Sequence, residues 1–316
     1  MHAICTGVIV ADIFSSAVGS PPEAGQLILA EKFLLSAGGG AVNTAACLGR
    51  IGAPARIVGR VGHDLFGDFV VADLERRSID PSWVMRSQTH PTSTTFVLNV
   101  KGHDRRYIHT IGANGDLVAE DVVPALDDAA VLYVGGYLAL PGFDAASLAS
   151  LFRLAQQRSI ATILDVMIPG GSRQPLDGIR EALPYADMFL PNQDEARALT
   201  GEESPRRQAA LLADLAPRCT VVITRGNNGL LARRGRQTWE AGAYEMETVD
   251  ESCAGDAFAA GLITGLMERW PFETSLRFAS ALGASCTRAL GCTEGVFERD
   301  ESLRFIERVP LEIHTQ

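Results

Sequence analysis

Long apolar runs are missing from this chain. No stretch approaches the ~18 residues that a membrane-crossing helix needs. The opening residues, MHAICTGVIVADIF, lack a basic segment and are interrupted by Asp12, so they read as a buried strand and not as a secretion signal. Positive charge is also scarce: 28 Lys and Arg stand against 38 Asp and Glu, a net charge of -10. Such a chain repels nucleic-acid backbones, so a bound phosphate has to be held locally, by backbone N–H groups or a few basic side chains. No two of the six cysteines, at 5, 47, 219, 253, 286 and 292, form a CxxC pair. They read as reduced, mostly buried thiols of a cytoplasmic protein. The six histidines show no metal-ligand spacing. Low-complexity tracts and internal repeats are absent too, which excludes a disordered or solenoid chain.

What the 316 residues do contain is enough apolar material, 47%, for one large core. Short apolar runs alternate with helical patterns. AICTGVIVAD, ARIVGRVG, AVLYVGGY, ATILDVM and CTVVIT read as strands. DLFGDFVVADLERRSID, ASLASLFRLAQQRS, the run from Ala254 and a final segment after Phe272 read as helices. This alternation predicts a parallel sheet covered by helices. Two segments break the rhythm. SQTHPTSTTFVLNVKGHDRRYIHTIGAN carries two β-rich runs around a Lys-Gly-His-Asp turn, a hairpin signal, and residues 15–36 are poor in helix signals. Together they predict a small β lid over a cleft.

Ligands of open α/β sheets bind at the carboxyl ends of the strands, and four motifs follow strands here. Ser252-Cys253-Ala254-Gly255-Asp256 places small residues at a helix start. Its free N–H groups suit an anion, Gly255 allows close approach, and Asp256 stands beside them as a carboxylate able to accept a hydroxyl proton. A carboxylate merely stabilised by the helix terminus satisfies the same local pattern. Gly38-Gly39-Gly40 before a helix, with Asn43 inside it, allows a backbone–ligand contact plus an amide suited to a sugar diol. Asn192 to Glu195 fits both a helix cap and a site for a hard ion held through water. Thr224-Arg225-Gly226 up to Gly229 is a glycine-rich turn. In Gly59-Arg60-Val61-Gly62-His63-Asp64-Leu65-Phe66-Gly67 the residues read as structural: a turn, a helix-starting Asp and a buried Phe. No GxGxxG opens a helix, so a dinucleotide fingerprint is absent.

The ordered set of motifs resembles the ribokinase-like (PfkB) carbohydrate kinases over nearly the whole chain. VDESCAGDAFAAG resembles their C-terminal signature DTxGAGDxFxxG, Gly38-Gly39 with Asn43 their GGxxxN, and Gly59 to Gly67 their GxVGxDxFG. Asn192 to Glu195 resembles NxxE, and Thr224 to Gly229 resembles TKGxxG with Arg225 in place of Lys. The resemblance implies a Rossmann-like three-layer α/β/α core in a single domain, 1–316, with lid segments at about 15–36 and 90–111. It implies Asp256 as catalytic base, an anion hole at Ala254, Gly255 and the Asp256 amide, and a turn at Cys253, where Gly is commonest, that keeps its shape with negative φ. It assigns Asp12, Gly38, Gly39, Asn43 and Asn114 (from Gly112-Ala113-Asn114) to sugar binding, and Asn192, Thr224, Gly226 and Gly229 to ATP. By the same resemblance Glu195 is expected to hold Mg²⁺ through water, Asp250 to join a monovalent cation site for an ion such as K⁺, and 288–295 to lie beside adenine.

Arg105, Arg106 and His109 stand near the hairpin, as solvated residues or as contacts to a polar substrate. The expected protein is a cytoplasmic ATP-dependent kinase of a sugar or sugar-like alcohol, a homodimer through its lid, with no nucleic-acid or membrane partner. Its rivals are a nucleoside kinase of the same family, a non-catalytic ATP- or sugar-binding regulator, and an enzyme using Cys253 as nucleophile, which needs a neighbouring His.

Overall fold

The computed structural model describes all residues except 104, 105, 290 and 292. In chain order the strands are β1 (His2–Gly7), β2 (Val10–Ser15), β3 (Phe33–Gly38), β4 (Ala55–Val61), β5 (Val84–Arg86), β6 (Thr94–Leu98) and β7 (Arg106–Thr110). They continue with β8 (Ala129–Gly135), β9 (Ala161–Leu164), β10 (Met188–Phe189), β11 (Thr220–Thr224), β12 (Leu230–Arg234), β13 (Gln237–Ala241) and β14 (Ile313–Thr315). The helices are α1 (Gly40–Arg50), α2 (Leu65–Arg76), α3 (Ala119–Val122), α4 (Ala145–Gln157), α5 (Asp177–Arg180), α6 (Gln193–Thr200), α7 (Pro205–Leu215), α8 (Ala254–Met267), α9 (Phe272–Cys286) and α10 (Arg299–Arg308).

Ten strands form one sheet in the order β14-β13-β12-β11-β10-β9-β8-β1-β4-β5. From β11 to β5 neighbours run parallel, and β12, β13 and β14 are antiparallel additions at one edge. Successive strand side chains point to opposite faces, and here both faces are covered. Ala3 and Cys5 of β1, with Val131 and Tyr133 of β8, pack into one core with α1, α2, α8 and α9. Ile4, Leu132 and Val134 pack into the other with α4, α6 and α7. That double burial is why these strands read as unbroken apolar runs. Among the described residues no helix is long and apolar enough to cross a membrane.

A second, four-stranded sheet in the order β3-β2-β6-β7 forms the lid. It begins earlier than residue 15. The run AICTGVIVAD, read as one strand, is two: β1 in the body and β2 in the lid, split at Gly7. Gly7 has φ +136°, and a Cβ there would lie 2.0 Å from the carbonyl oxygen of Gly135. Only glycine tolerates both conditions. Asp12 therefore sits within a lid strand and not at the end of the first core strand. Two elements beyond the expected final helix after Phe272 are α10 and β14. Phe66, expected to be buried, is 36% exposed, whereas Asp64 does cap α2 by accepting from the Gly67 amide at 2.8 Å.

Candidate active site

The site lies where the strand ends of the body meet the lid. α8 starts at Ala254, and its first N–H groups have no intrahelical partner. Gly255 presents its Cα hydrogens to open space: a Cβ there would touch nothing within 4 Å. Asp256, in the first turn, accepts a 2.9 Å hydrogen bond from Asn43 Nδ2 of α1. Burial pushes its carboxyl up to about 6, while the Asn43 amide pulls the other way. The Asn43 Oδ1 is buried and unpartnered. An orphaned acceptor of this kind calls for a donor, and a hydroxyl beside Asp256 supplies one.

Gly39 caps α1 with φ +92°, and a Cβ on it would lie 2.3 Å from the Val8 carbonyl oxygen. A Cβ on Gly38 would lie 2.1 Å from Asp12 Oδ2, so the Asp12 carboxylate rests directly on the Gly38 backbone. Burial raises Asp12 to about 7; a hydrogen bond from Thr95 lowers it, and the field of Asp256 raises it further. Ser36, Asp12, Thr95 and His109 stand at one level across β3, β2, β6 and β7. The His109 Nδ1 lies 3.0 Å from Thr95 Oγ1. Asp12, Gly38, Gly39, Asn43 and Asp256 are thus brought together.

Next to Asp256, a cleft of about 680 Å³ runs past Asn192, Thr224, Gly226, Glu251, Gly255 and Thr287. Gly229 lines it too, with φ +79° and its Cα against the Ala241 carbonyl. Asn192 caps α6: its Oδ1 accepts from the Glu195 amide at 2.9 Å, and Glu195 Oε2 accepts from the Asn192 amide at 2.8 Å. The structural reading of this motif is thereby satisfied. Glu195 is raised to about 7 by burial, and by the charges of Asp194 and Asp256 against the Asn192 amide bond. Arg225 turns from the cleft to Glu240, 3.1 Å away, and to the Leu230 carbonyl.

Asp165 is a site carboxylate that sequence reasoning missed. It follows β9, accepts from Tyr133 Oη at 2.8 Å, and is held well above the carboxylate range by burial and by the charges of Glu195 and Asp256. Its signal was position: an Asp at the carboxyl end of the strand in ATILDVM.

Four expectations are corrected. Asn114 is 1% exposed and spends its amide on Ile9, accepting from the Ile9 N–H at 3.0 Å and donating to the Ile9 carbonyl at 2.9 Å. It ties the β1–β2 junction to the body and presents nothing to a ligand. Cys253 has φ +62°, not a negative φ: the turn keeps the left-handed shape that glycine adopts freely, and the Cβ is strained there. Cys253 is also disulfide-bonded, which corrects the expectation of reduced thiols at that position, while Cys5 and Cys219 are the buried free thiols expected. A sulfur held in a disulfide is no nucleophile, so the Cys253 enzyme reading falls. Asp250 accepts from the Ser252 amide at 2.9 Å and, weakly, from Gly291 at 3.5 Å. Arg106 is exposed on β7, and Arg105, with residues 290 and 292 of the adenine-side segment, lies outside the described residues.

With a covered parallel sheet, a β lid and a part-buried carboxylate at an open helix start, the chain has the layout of a small-molecule kinase. Residues 2–299 match the pfkB family carbohydrate kinase, and the chain belongs to that family. It is an ATP-dependent carbohydrate kinase. The ribokinase of Haemophilus influenzae is 24% identical over 291 residues, which cover 90% of this chain and 91% of that protein. The Arabidopsis thaliana ribokinase structure, complexed with ribose and ATP, superposes with TM-score 0.82 at 23% identity over 97% of this chain and 98% of that one. An E. coli structure described as ribokinase II, with ATP and Mg²⁺, gives 0.78 at 22% over 98% and 99%.

Proposed function

We propose that the chain transfers the terminal phosphoryl group of ATP to a hydroxyl of a sugar or sugar-like alcohol, with Asp256 as the base. The observation that carries this reading is the Asp256 carboxylate itself. It is joined to Asn43, belongs to the first turn of α8, whose Ala254 and Gly255 line the cleft of about 680 Å³, and its field reaches the lid carboxylate Asp12. Asp12 and the Asn43 Oδ1 orient the sugar; Asp256 accepts the proton of the attacking hydroxyl. The amides of Ala254, Gly255 and Asp256 stabilise charge on the transferring group, so positioning and electrostatics supply the acceleration. The triphosphate lies along Asn192, Thr224, Gly226 and Gly229.

Glu195 and Asp165 suit Mg²⁺. Burial raises both carboxyls; the charges of Glu195 and Asp256 raise Asp165 further, those of Asp194 and Asp256 raise Glu195, and bound Mg²⁺ would neutralise them and the phosphate oxygens. Asp250, bonded to Ser252 and Gly291, is the residue through which a monovalent cation such as K⁺ would act.

The nucleoside reading loses one of its two lid aromatics. Phe96 stands one register step from Thr95, hence on the opposite sheet face from Asp12, with its ring 6.2 Å from Phe33. A second copy of the chain over the lid is also part of the proposal. Phe33, Leu34 and Ile108 are 61%, 43% and 72% exposed on the sheet's two outer strands. The buried free thiols Cys5 and Cys219 support a cytoplasmic setting, and the disulfide at Cys253 counts against it.

The test is ADP release with Mg-ATP against a panel of sugars, sugar acids and nucleosides, for wild type and Asp256→Asn. Turnover on one class that is lost in the variant supports the reading. Equal turnover in both proteins removes Asp256 from the mechanism.

A further inference from the structure

Resting on the sugar-kinase reading above, we propose that Asp73 of α2 is a positioning residue for sugar recognition: with Arg77 it fixes the Ser36–Ala37–Gly38 backbone of the lid against Asp12. The inward row of α2 is Gly67, Val70, Asp73 and Leu74. An apolar side chain at 73 would satisfy the helix packing, and a carboxylate there is costly unless it is paired and hydrogen-bonded. Asp73 is 1% exposed and fully engaged. Its Oδ2 accepts from the Ala37 amide at 3.2 Å and pairs with Arg77 at 2.7 Å, and its Oδ1 pairs with Arg76. Arg77 in turn donates to Ser36 Oγ at 3.0 Å.

The target of this clamp matters. β3 is an outer strand of the lid sheet, so alternate N–H groups point away from β2. The Ala37 residue is fully buried, and without Asp73 its N–H is an orphan. Ser36 is the cross-strand partner of Asp12, and Ala37 that of Ala11. The next residue, Gly38, lies under the Asp12 carboxylate, and Gly39 opens the helix that carries Asn43. A buried carboxylate and a partly buried guanidinium on a body helix therefore hold the stretch of lid that sets the distance from Asp12 to Asn43. The clamp touches neither the nucleotide cleft nor Asp256, so its effect is confined to the sugar side.

The experiment compares Asp73→Asn, which keeps an acceptor for Ala37 but loses the ion pairs, with Arg77→Met, which keeps the aliphatic packing. Hydrogen exchange of the 33–39 segment is measured in each, together with kcat and the KM values for sugar and for ATP. Loss of a charge-assisted bond predicts faster exchange at 33–39 and a rise of about tenfold in sugar KM. The ATP KM and the kcat at saturating sugar are expected to stay within about twofold, below what losing a single hydrogen bond does. Sugar KM unchanged in folded variants, a parallel rise of both KM values, or unaltered exchange at 33–39 would each overturn the proposal. Should Asp73→Asn fail to fold, Arg77→Met decides alone. A wild type that turns over no sugar sinks the kinase reading, and the clamp then stands or falls on the exchange of 33–39.

Discussion

Replacing Asp256 by Asn should remove activity and raise stability at the same time, but only on one side of a defined pH. The carboxyl is raised from 3.8 to about 6, first by burial. A raised carboxyl binds its proton more tightly in the folded state than in the unfolded chain. Its contribution is therefore harmless below pH 3.8, turns unfavourable as pH rises, and reaches its full cost above about pH 6. Two pKa units and a little more correspond to up to about 3 kcal/mol. With unfolding entropy near 2.1 cal/mol/K per residue and 316 residues, that is roughly 4 °C in Tm. The new amide still accepts from Asn43 Nδ2, so packing is conserved. Thermal melts of both proteins at pH 8 and pH 4 read the effect. The variant should melt about 4 °C higher at pH 8, and the gap should close at pH 4. Its kcat should fall by about 10²–10⁴, the usual worth of a general base. The wild-type kcat/KM should decline below pH 6 as the base protonates. A variant that melts lower at pH 8, or a gap of equal size at both pH values, would refute the claim that burial of a charged Asp256 is tolerated for chemistry and not for stability.

Gly255→Ala should stabilise the protein by about 0.5–1 kcal/mol, since Gly255 sits in the first turn of α8 and Ala there restricts the unfolded chain. On the proposed reading, in which the phosphoryl group takes the open space at its Cβ, it should also cost about 10²-fold in kcat/KM; denaturant melts and kinetics on one preparation check both, and full activity counts against the anion site. Asn114→Ala orphans the Ile9 N–H and C=O and should cost about 2–4 kcal/mol in urea unfolding, with ATP KM unchanged. In reductant, where the disulfide is gone, Cys253→Gly should gain about 1 kcal/mol by relieving a non-glycine φ of +62°; a loss of stability there would show that the turn adopts negative φ once reduced.

The body of the fold was legible because doubly buried strands and amphipathic helices leave different periods in the sequence. The meeting of Asp256, Asn43 and Gly39 was legible because glycine spacing at a helix start has few uses. What failed was decided at long range. Nothing in AICTGVIVAD announces that the chain leaves one sheet for another, since the break depends on the Gly135 carbonyl meeting Gly7. Asn114 sits in a triplet suited to a ligand, yet its partner is a backbone 105 residues away. Asp73 reads as one more polar residue on a helix until the Ala37 amide arrives beside it. At Cys253 the motif gave the turn but not its φ, which is a property of the backbone around it and not of the residue name.

The direct passage from β1 into β2 makes the first lid strand a lever with almost no slack. Asn114 grips both backbone groups of Ile9 and so supplies the fulcrum. Asp12 lies three residues beyond, a lever arm of about 10 Å at strand rise. A swing of about 10° around that fulcrum carries its carboxylate through about 2 Å, more than the whole spread of good hydrogen-bond lengths. On the proposed reading, sugar recognition is thus governed by an angle, set at a pivot pinned by Asn114.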